Sequence, residues 1–229
     1  MSEQPEPALR AADYDRWFET RWGSYAFAVE RDALLDAVGP LDGRDLLDAG
    51  CGTGRFTAAF EAAGATVTGV DADPAMLSLA RRRTGAQLLH ADAGALPLPD
   101  DSFDLAVAVT LLEFAERAEQ VIDELVRVTR PGGRIVVATL NPRSPWGLAH
   151  HRKLRQPPWS QACLRTPGEL RELLTERGRL QVTAALYAPG GFPGVARLGP
   201  LLEAVGQLVS GAGAFQIATL DLPEQTAKR

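Results

Sequence analysis

Three glycines at alternate positions, Gly50, Gly52 and Gly54, directly follow the run Leu-Leu-Asp-Ala that ends at Ala49. Glycine suits places where the backbone turns sharply or approaches a ligand without a Cβ in the way. A helical pattern begins at Phe56, so the order is strand, glycine loop, helix. Such a helix start directs free N–H groups and a positive dipole end at the polar, partly anionic part of a ligand. The segment therefore predicts a ligand-binding loop.

Two further carboxylates stand where later apolar runs end. The β-branched run ATVTGVD ends at Asp71, and AQLLHAD ends at Asp92. A carboxylate at Asp71 can accept hydrogen bonds from both hydroxyls of a ribose, as the acid of an NAD site does. Asp73 and Pro74 follow as a helix cap and a first-turn proline, so Asp71 is not needed for capping. The sequence thus predicts a nucleoside site beside the glycine loop.

The elements that must position these residues alternate between strand and helix as far as Leu140. The run FDLAVAVTLLEF is continuously apolar, which indicates a strand buried on both faces. RIVVATLN is a fifth strand after the break Pro-Gly-Gly. The pattern predicts an α/β fold with a doubly wound, mostly parallel sheet and helices on both faces.

Composition limits the classes of function. The chain has 229 residues and a net charge of −5, which argues against a general nucleic-acid binder. No stretch approaches the roughly 20 apolar residues of a membrane span, and the polar start MSEQPEPALR does not resemble a signal peptide. Two cysteines and three scattered histidines give no metal-site spacing. These features favour a metal-free protein of the reducing cytoplasm.

The loop G-x-G-x-G preceded by Asp-Ala resembles motif I of the class I S-adenosylmethionine (SAM)-dependent methyltransferases. The dinucleotide fingerprint would need a glycine where Arg55 stands. VTGVDADPAML resembles motif II, ADAGALPLPDDSFDLAVAVTLLEF the adenine-binding stretch and motif IV, and VTRPGGRIVVATLN the fifth-strand region. The resemblance is to the UbiE-like, methyltransferase type 11 subgroup and covers about 13–141. It implies one Rossmann-like domain over 1–229, with seven strands and the last antiparallel.

The resemblance also implies a cofactor site for SAM and for its product, S-adenosylhomocysteine (SAH). Asp48 would order the loop and bind the methionine ammonium, or merely cap the loop. Asp92 would accept from the adenine amino group, which favours SAM over NAD, and Met76 would cover the adenine or belong to the core. The complete set is Asp48, Ala49, Gly50, Cys51, Gly52, Gly54, Asp71, Ala72, Met76, Asp92, Ala93, Thr110, Leu111, Tyr14 and Trp17.

Three segments lie outside the run of alternating strands and helices that ends at Leu140. Residues 1–10 are expected to be disordered, and 11–38 to form an aromatic-rich helical segment that either packs ordinarily or covers the site as a lid. Residues 141–165 are expected to form a loop on the acceptor side. Their basic stretch, between Trp146 and Trp159, is either solvated or contacts an acidic acceptor or an anionic membrane surface, as a peripheral contact through 146–159.

The sequence thus predicts methyl transfer from SAM to a small, largely apolar acceptor, without naming that acceptor or the oligomeric state. If a base or orienting group is used, the candidates are Glu113, His150 and Tyr14. One alternative is a SAM-binding regulatory or scaffolding protein that does not methylate. The other is an NAD-linked oxidoreductase, which Arg55 and Asp92 disfavour.

Overall fold

The structure is a computed structural model that describes residues 11–150, 162–188, 195–206, 208 and 211–224. Residues 1–10 and most of the basic stretch, including Trp159, lie outside the described residues, so the predictions made for them stay predictions. Within the described part, one sheet has seven strands in the order β3-β2-β1-β4-β5-β7-β6. The strands are β1 Asp45–Ala49, β2 Thr66–Asp71, β3 Gln87–His90, β4 Phe103–Val109, β5 Thr129–Leu140, β6 Arg179–Ala185 and β7 Phe215–Asp221.

Strands β1 to β5 pair in parallel, whereas β7 runs antiparallel to both of its neighbours, β5 and β6. The fold class predicted from the sequence is therefore confirmed. The helices are α1 Ala11–Trp17, α2 Arg21–Val38, α3 Arg55–Ala62, α4 Pro74–Ala80, α5 Ala118–Val128, α6 Pro145–His150, α7 Pro167–Leu174 and α8 Val195–Gly206, with a 3-10 turn at Thr175–Arg177.

Side chains of β4 are buried on both sheet faces, as its apolar run predicts. Leu105 and Val107 belong to the apolar cluster under α2 and α3, and Ala106 and Ala108 belong to the cluster under α5 and α7. Neighbouring residues of a strand point to opposite faces, which explains this division. The sheet is thus a rigid layer between two sets of helices.

The segment 11–38 forms two helices rather than one. Thr20 adopts extended backbone and accepts a hydrogen bond from the N–H of Gly23 at 3.0 Å, which starts α2 as an N-cap. A Cβ on Gly23 would lie 2.1 Å from the carbonyl oxygen of Trp17, so only glycine allows α1 to fold back this closely. A helical hydrophobic period does not reveal such a break, because the apolar spacing continues through it.

Candidate functional site

A cavity of about 840 Å³ lies at the edge of the sheet where the parallel strands end. β1 has β2 on one side and β4 on the other, so the chain connections diverge from β1, which is where open α/β sheets bind ligands. The cavity gathers most of the residues predicted to bind the cofactor: Tyr14, Trp17, Gly50, Cys51, Gly52, Asp71, Ala72, Met76, Asp92, Ala93, Thr110 and Leu111.

The glycine loop brings bare backbone to this cavity. Gly50 and Gly52 have φ of 73° and 54°, a region that side chains rarely adopt. A Cβ on Gly50 would lie 2.8 Å from a methyl group of Leu111. A Cβ on Gly52, which lines the cavity, would meet no atom of the described residues within 4 Å. The backbone at Gly52 therefore leaves its open side to a ligand.

Asp71 is held rigidly at the end of β2. Its Oδ2 accepts the N–H of Gly52 and its Oδ1 accepts the N–H of Asp73, both at 2.8 Å. Burial raises the pKa of this carboxyl, although those two backbone donors favour its charged form. Each carboxylate oxygen has a further lone pair, so the side chain can accept two more hydrogen bonds on the cavity side.

Another part of the cavity lining combines a carboxylate with small and apolar side chains. Asp92 lines the cavity here, and its Oδ1 accepts the N–H of Gly94 at 2.8 Å, which fixes the side chain. Ala72, Met76 and Ala93 supply small and apolar surface beside it. A carboxylate and apolar walls suit an adenine, whose amino group donates.

Three predicted cofactor residues lie behind the loop instead of on the cavity surface. Asp48 is 1% exposed, and its Oδ2 accepts the Thr57 hydroxyl at 2.6 Å, which ties the end of β1 to α3. Burial raises the pKa of Asp48 to about 6. Ala49 is buried in the core, and Gly54 starts α3 in left-handed conformation. These residues shape the loop, so a direct bond from Asp48 to a ligand stays a prediction.

Tyr14 reaches the cavity from α1 and stacks edge-on against Phe18 with ring centroids 5.2 Å apart. Burial raises the pKa of its hydroxyl above the usual range, and the Glu30 carboxyl adds to the effect. Tyr14 is therefore a neutral donor at physiological pH. Thr110, opposite, has φ of 48°, a strained value for a β-branched residue, at the point where β4 ends.

A cluster around Asp15, which sequence reasoning missed, ties α1 to the loop. Asp15 accepts hydrogen bonds from Arg55 at 2.8 Å, Arg83 at 2.9 Å and Thr53 at 3.0 Å. Its pKa is lowered: burial opposes ionisation, but the bonds from Arg83, Arg55 and Thr53 outweigh it. Arg55, at the position that a dinucleotide fingerprint gives to glycine, also lies over the Phe18 ring at 4.7 Å. It therefore has a role of its own in anchoring α1.

Two candidate bases from the sequence lie away from the cavity surface. Glu113 is 1% exposed, and its Oε1 accepts the N–H of Leu140 at 2.7 Å. Burial raises its pKa to about 7. The His150 ring stacks on Trp146 and its Nδ1 bonds the Trp146 carbonyl oxygen at 2.9 Å. Glu113 thus links β4 to β5, and only Trp146, not His150, lines the cavity.

The wall beyond the glycine loop is mostly apolar. It comprises Trp22 and Ala26 of α2, Leu140 at the end of β5, Trp146 of α6 and Leu186. These residues lie far apart in the sequence, before β1 and from the end of β5 onward, which is why no local sequence motif marks them. They form the acceptor wall referred to below, where a second small molecule can lie beside the cofactor region.

Known proteins resemble this chain in sequence and in fold. A family model described as a methyltransferase domain matches residues 47–137. An uncharacterized protein of Methanocaldococcus jannaschii is 31% identical over 175 residues, which cover 76% of this chain and 80% of that protein. A SAM-dependent methyltransferase structure from Thermotoga maritima, described as a possible histamine N-methyltransferase, superposes with a TM-score of 0.75 and 26% identity, covering 92% of this chain and 95% of that one.

The chain belongs to the class I SAM-dependent methyltransferases. A malonyl-[acyl-carrier protein] O-methyltransferase of Serratia marcescens is 40% identical over 129 residues, which are 54% of this chain and 51% of that protein. The chain thus spans about half the length of such curated relatives. The family model itself runs from within β1 to within β5.

The donor set of the cavity fits the cofactor of this methyltransferase family. Gly52 offers bare backbone to the cavity, and Asp71 and Asp92 line it with carboxyl oxygens that can accept further hydrogen bonds. Within the described ranges, no three histidine, cysteine or acidic side chains come together as metal ligands. The helices described also include none that is both long and apolar enough to cross a bilayer.

Proposed function

We propose that this protein transfers a methyl group from SAM to a small, largely apolar acceptor, with SAH as the product. The proposal rests on one observation above all: the glycine loop, Asp71 and Asp92 share a single cavity that continues along an apolar acceptor wall. SAM, when bound, supplies a methyl group on a sulfonium that a nucleophile can displace in line. The residues of this chain have to bind, align and enclose the reactants.

Cofactor binding is assigned to the predicted residues that line the cavity. The loop from Gly50 to Gly52 holds the methionine and ribose parts through backbone, and Asp71 accepts the ribose hydroxyls. Asp92 and the N–H of Ala93 bind the adenine, with Met76 against its face. Tyr14 and Trp17 close the cavity from α1, and aromatic surfaces suit a sulfonium cation.

Rate enhancement is assigned to alignment. Holding two reactants in line can lower a barrier by about 7–11 kcal/mol in favourable cases. Asp15, with Arg55 and Arg83, fixes α1 over the cavity, and this excludes water from the reactants. A nucleophile that starts deprotonated then needs no base, which agrees with Glu113 and His150 being engaged elsewhere.

The acceptor class is inferred from the wall and not from relatives. The names of the relatives mention malonyl-[acyl-carrier protein], demethylmenaquinone and, for one structure, histamine, which have little chemistry in common. The wall of Trp22, Ala26, Leu140, Trp146 and Leu186 favours an aromatic or aliphatic body instead.

The test is transfer of label from methyl-labelled SAM to a panel of phenols, quinols, amines, thiols and carboxylic acids. We expect organic-extractable label from at least one class, with one SAH formed per methyl transferred. SAH that binds with no transfer to any class would instead support the SAM-binding regulatory alternative.

A further inference from the structure

One acidic residue beside the acceptor wall has no binding role so far. Glu30 lies on the buried face of α2, one turn after Ala26 and one turn before Leu34, both of which are fully buried. Its side chain is 9% exposed and lines the cavity. At helical spacing an apolar residue is expected here, because the positions on either side of it pack into the core. A carboxyl group therefore replaces core surface at the cavity wall.

Glu30 makes no hydrogen bond and no ion pair with any residue that the structure describes. Buried carboxyl groups are costly unless hydrogen bonds or opposite charges satisfy them. The other ionisable groups that line the cavity come from outside α2. They are Asp13, Tyr14, Cys51, Arg55, Asp71, Asp92, Glu116 and Arg117. Two arginines line the cavity: Arg55 is paired with Asp15, and among the described residues Arg117 forms no ion pair with Glu30.

The Glu30 carboxyl is close enough to Tyr14 to raise the pKa of that hydroxyl, but its helix face continues into the acceptor wall. Trp22 and Ala26 precede it on the same face of α2, and both line the acceptor wall. Asp71 and Asp92, the carboxylates assigned to the cofactor, are instead fixed by backbone N–H groups at the ends of β2 and beyond β3. Glu30 thus places a carboxyl group next to the acceptor wall. Among the described residues, this carboxyl group has no hydrogen-bond or ion-pair partner.

We propose that Glu30 binds the acceptor: its carboxyl group pairs with a hydroxyl or an amine on an otherwise apolar molecule. This rests on the proposed function, because it places the acceptor in the same cavity as SAM. Burial raises the pKa of Glu30 to about 8, so the group is largely protonated at neutral pH until a partner stabilises its charge. An acceptor amine or hydroxyl would supply that stabilisation and would be selected over a purely apolar analogue.

The test uses matched probe pairs that differ only in the donor group: 2-naphthol with 2-methoxynaphthalene, and 2-phenylethylamine with propylbenzene. Each is titrated calorimetrically into the SAH-saturated full-length protein. Because a hydrogen bond to a charged partner is lost with the donor, wild type should prefer at least one donor-bearing probe by about ten- to hundred-fold. Glu30→Leu, which suits a buried helix face, should reduce that preference to near unity, and Glu30→Gln should keep part of it.

Asp36→Asn is the control, because it removes one carboxylate from the exposed side of the same helix, and it should leave the preference unchanged. The inference is overturned if wild type binds neither pair, binds both members of each pair equally, or keeps its preference in Glu30→Leu. SAH is titrated into each protein separately. Absence of SAH binding to wild type would refute the proposed function, whereas normal SAH binding without the Glu30 effect would refute only this inference.

Discussion

Gly52→Ala is expected to weaken SAH binding by about hundred-fold while the protein stays folded. The new Cβ would meet no described protein atom within 4 Å, so the fold has room for it, but it would project into the space assigned to the cofactor. Forcing a methyl group into an occupied contact costs about 1–3 kcal/mol, and the upper end of that range corresponds to the expected loss. Calorimetric titration with SAH measures it.

The control is Gly43→Ala, because Gly43 has φ of 68° and also no described atom near its missing Cβ, yet it lies in the turn before β1. Both variants place an alanine in left-handed backbone, at a cost to stability of about 1–2 kcal/mol. Only Gly52 lines the cavity. Equal losses of SAH affinity in the two variants would show that strain, and not contact with the ligand, is responsible.

Asp71→Ala is expected to weaken SAH binding by about ten- to hundred-fold, because hydrogen bonds to a charged group contribute about 1.5–3 kcal/mol. The variant also removes the acceptor of the Gly52 and Asp73 N–H groups, so affinity alone does not separate ribose contact from loop order. The comparison therefore includes SAH lacking both ribose hydroxyls. Wild type should discriminate between the two ligands, and Asp71→Ala should not.

Asp73→Ala provides the control for this pair, since Asp73 caps α4 through a 2.7 Å bond from the N–H of Ala75 and does not line the cavity. It should lower stability by about 1 kcal/mol, as the loss of an N-cap does, and keep the ligand discrimination. If Asp71→Ala still discriminates between the two ligands, Asp71 orders the loop without touching the ribose.

The fold was predictable because its signals are local. Alternating strands and helices give the doubly wound sheet, and the cap predicted at Asp73 is present in the structure. The break between α1 and α2 at Thr20 was not predictable, because a single N-cap residue is a weak signal when the apolar helical spacing continues on both sides of it. The acidic residues at strand ends also predicted the position of the cavity, since the carboxyl ends of parallel strands lie at the same edge of the sheet.

Side-chain direction beyond a strand end was not predictable. Glu113 comes shortly after the end of β4, where a residue that faces the cavity is expected. The chain instead turns at Thr110, which has left-handed backbone, and the Glu113 carboxyl accepts the N–H of Leu140. Glu30 and Asp15 lie on helices outside the recognised motifs. Their contacts depend on how α1 and α2 pack around the cavity, which the sequence does not reveal. Their sequence signal is slight: an acid on an otherwise apolar helix face, and an acid among aromatics.

The most direct measurement of the central claim is the titration of wild-type protein with SAH and, in parallel, with NAD, followed by melting temperature. A ligand that binds only the folded state stabilises it in proportion to the logarithm of its concentration above Kd. The account predicts that SAH raises the melting temperature progressively as its concentration increases above Kd and that NAD leaves it unchanged. Stabilisation by NAD without stabilisation by SAH would contradict it.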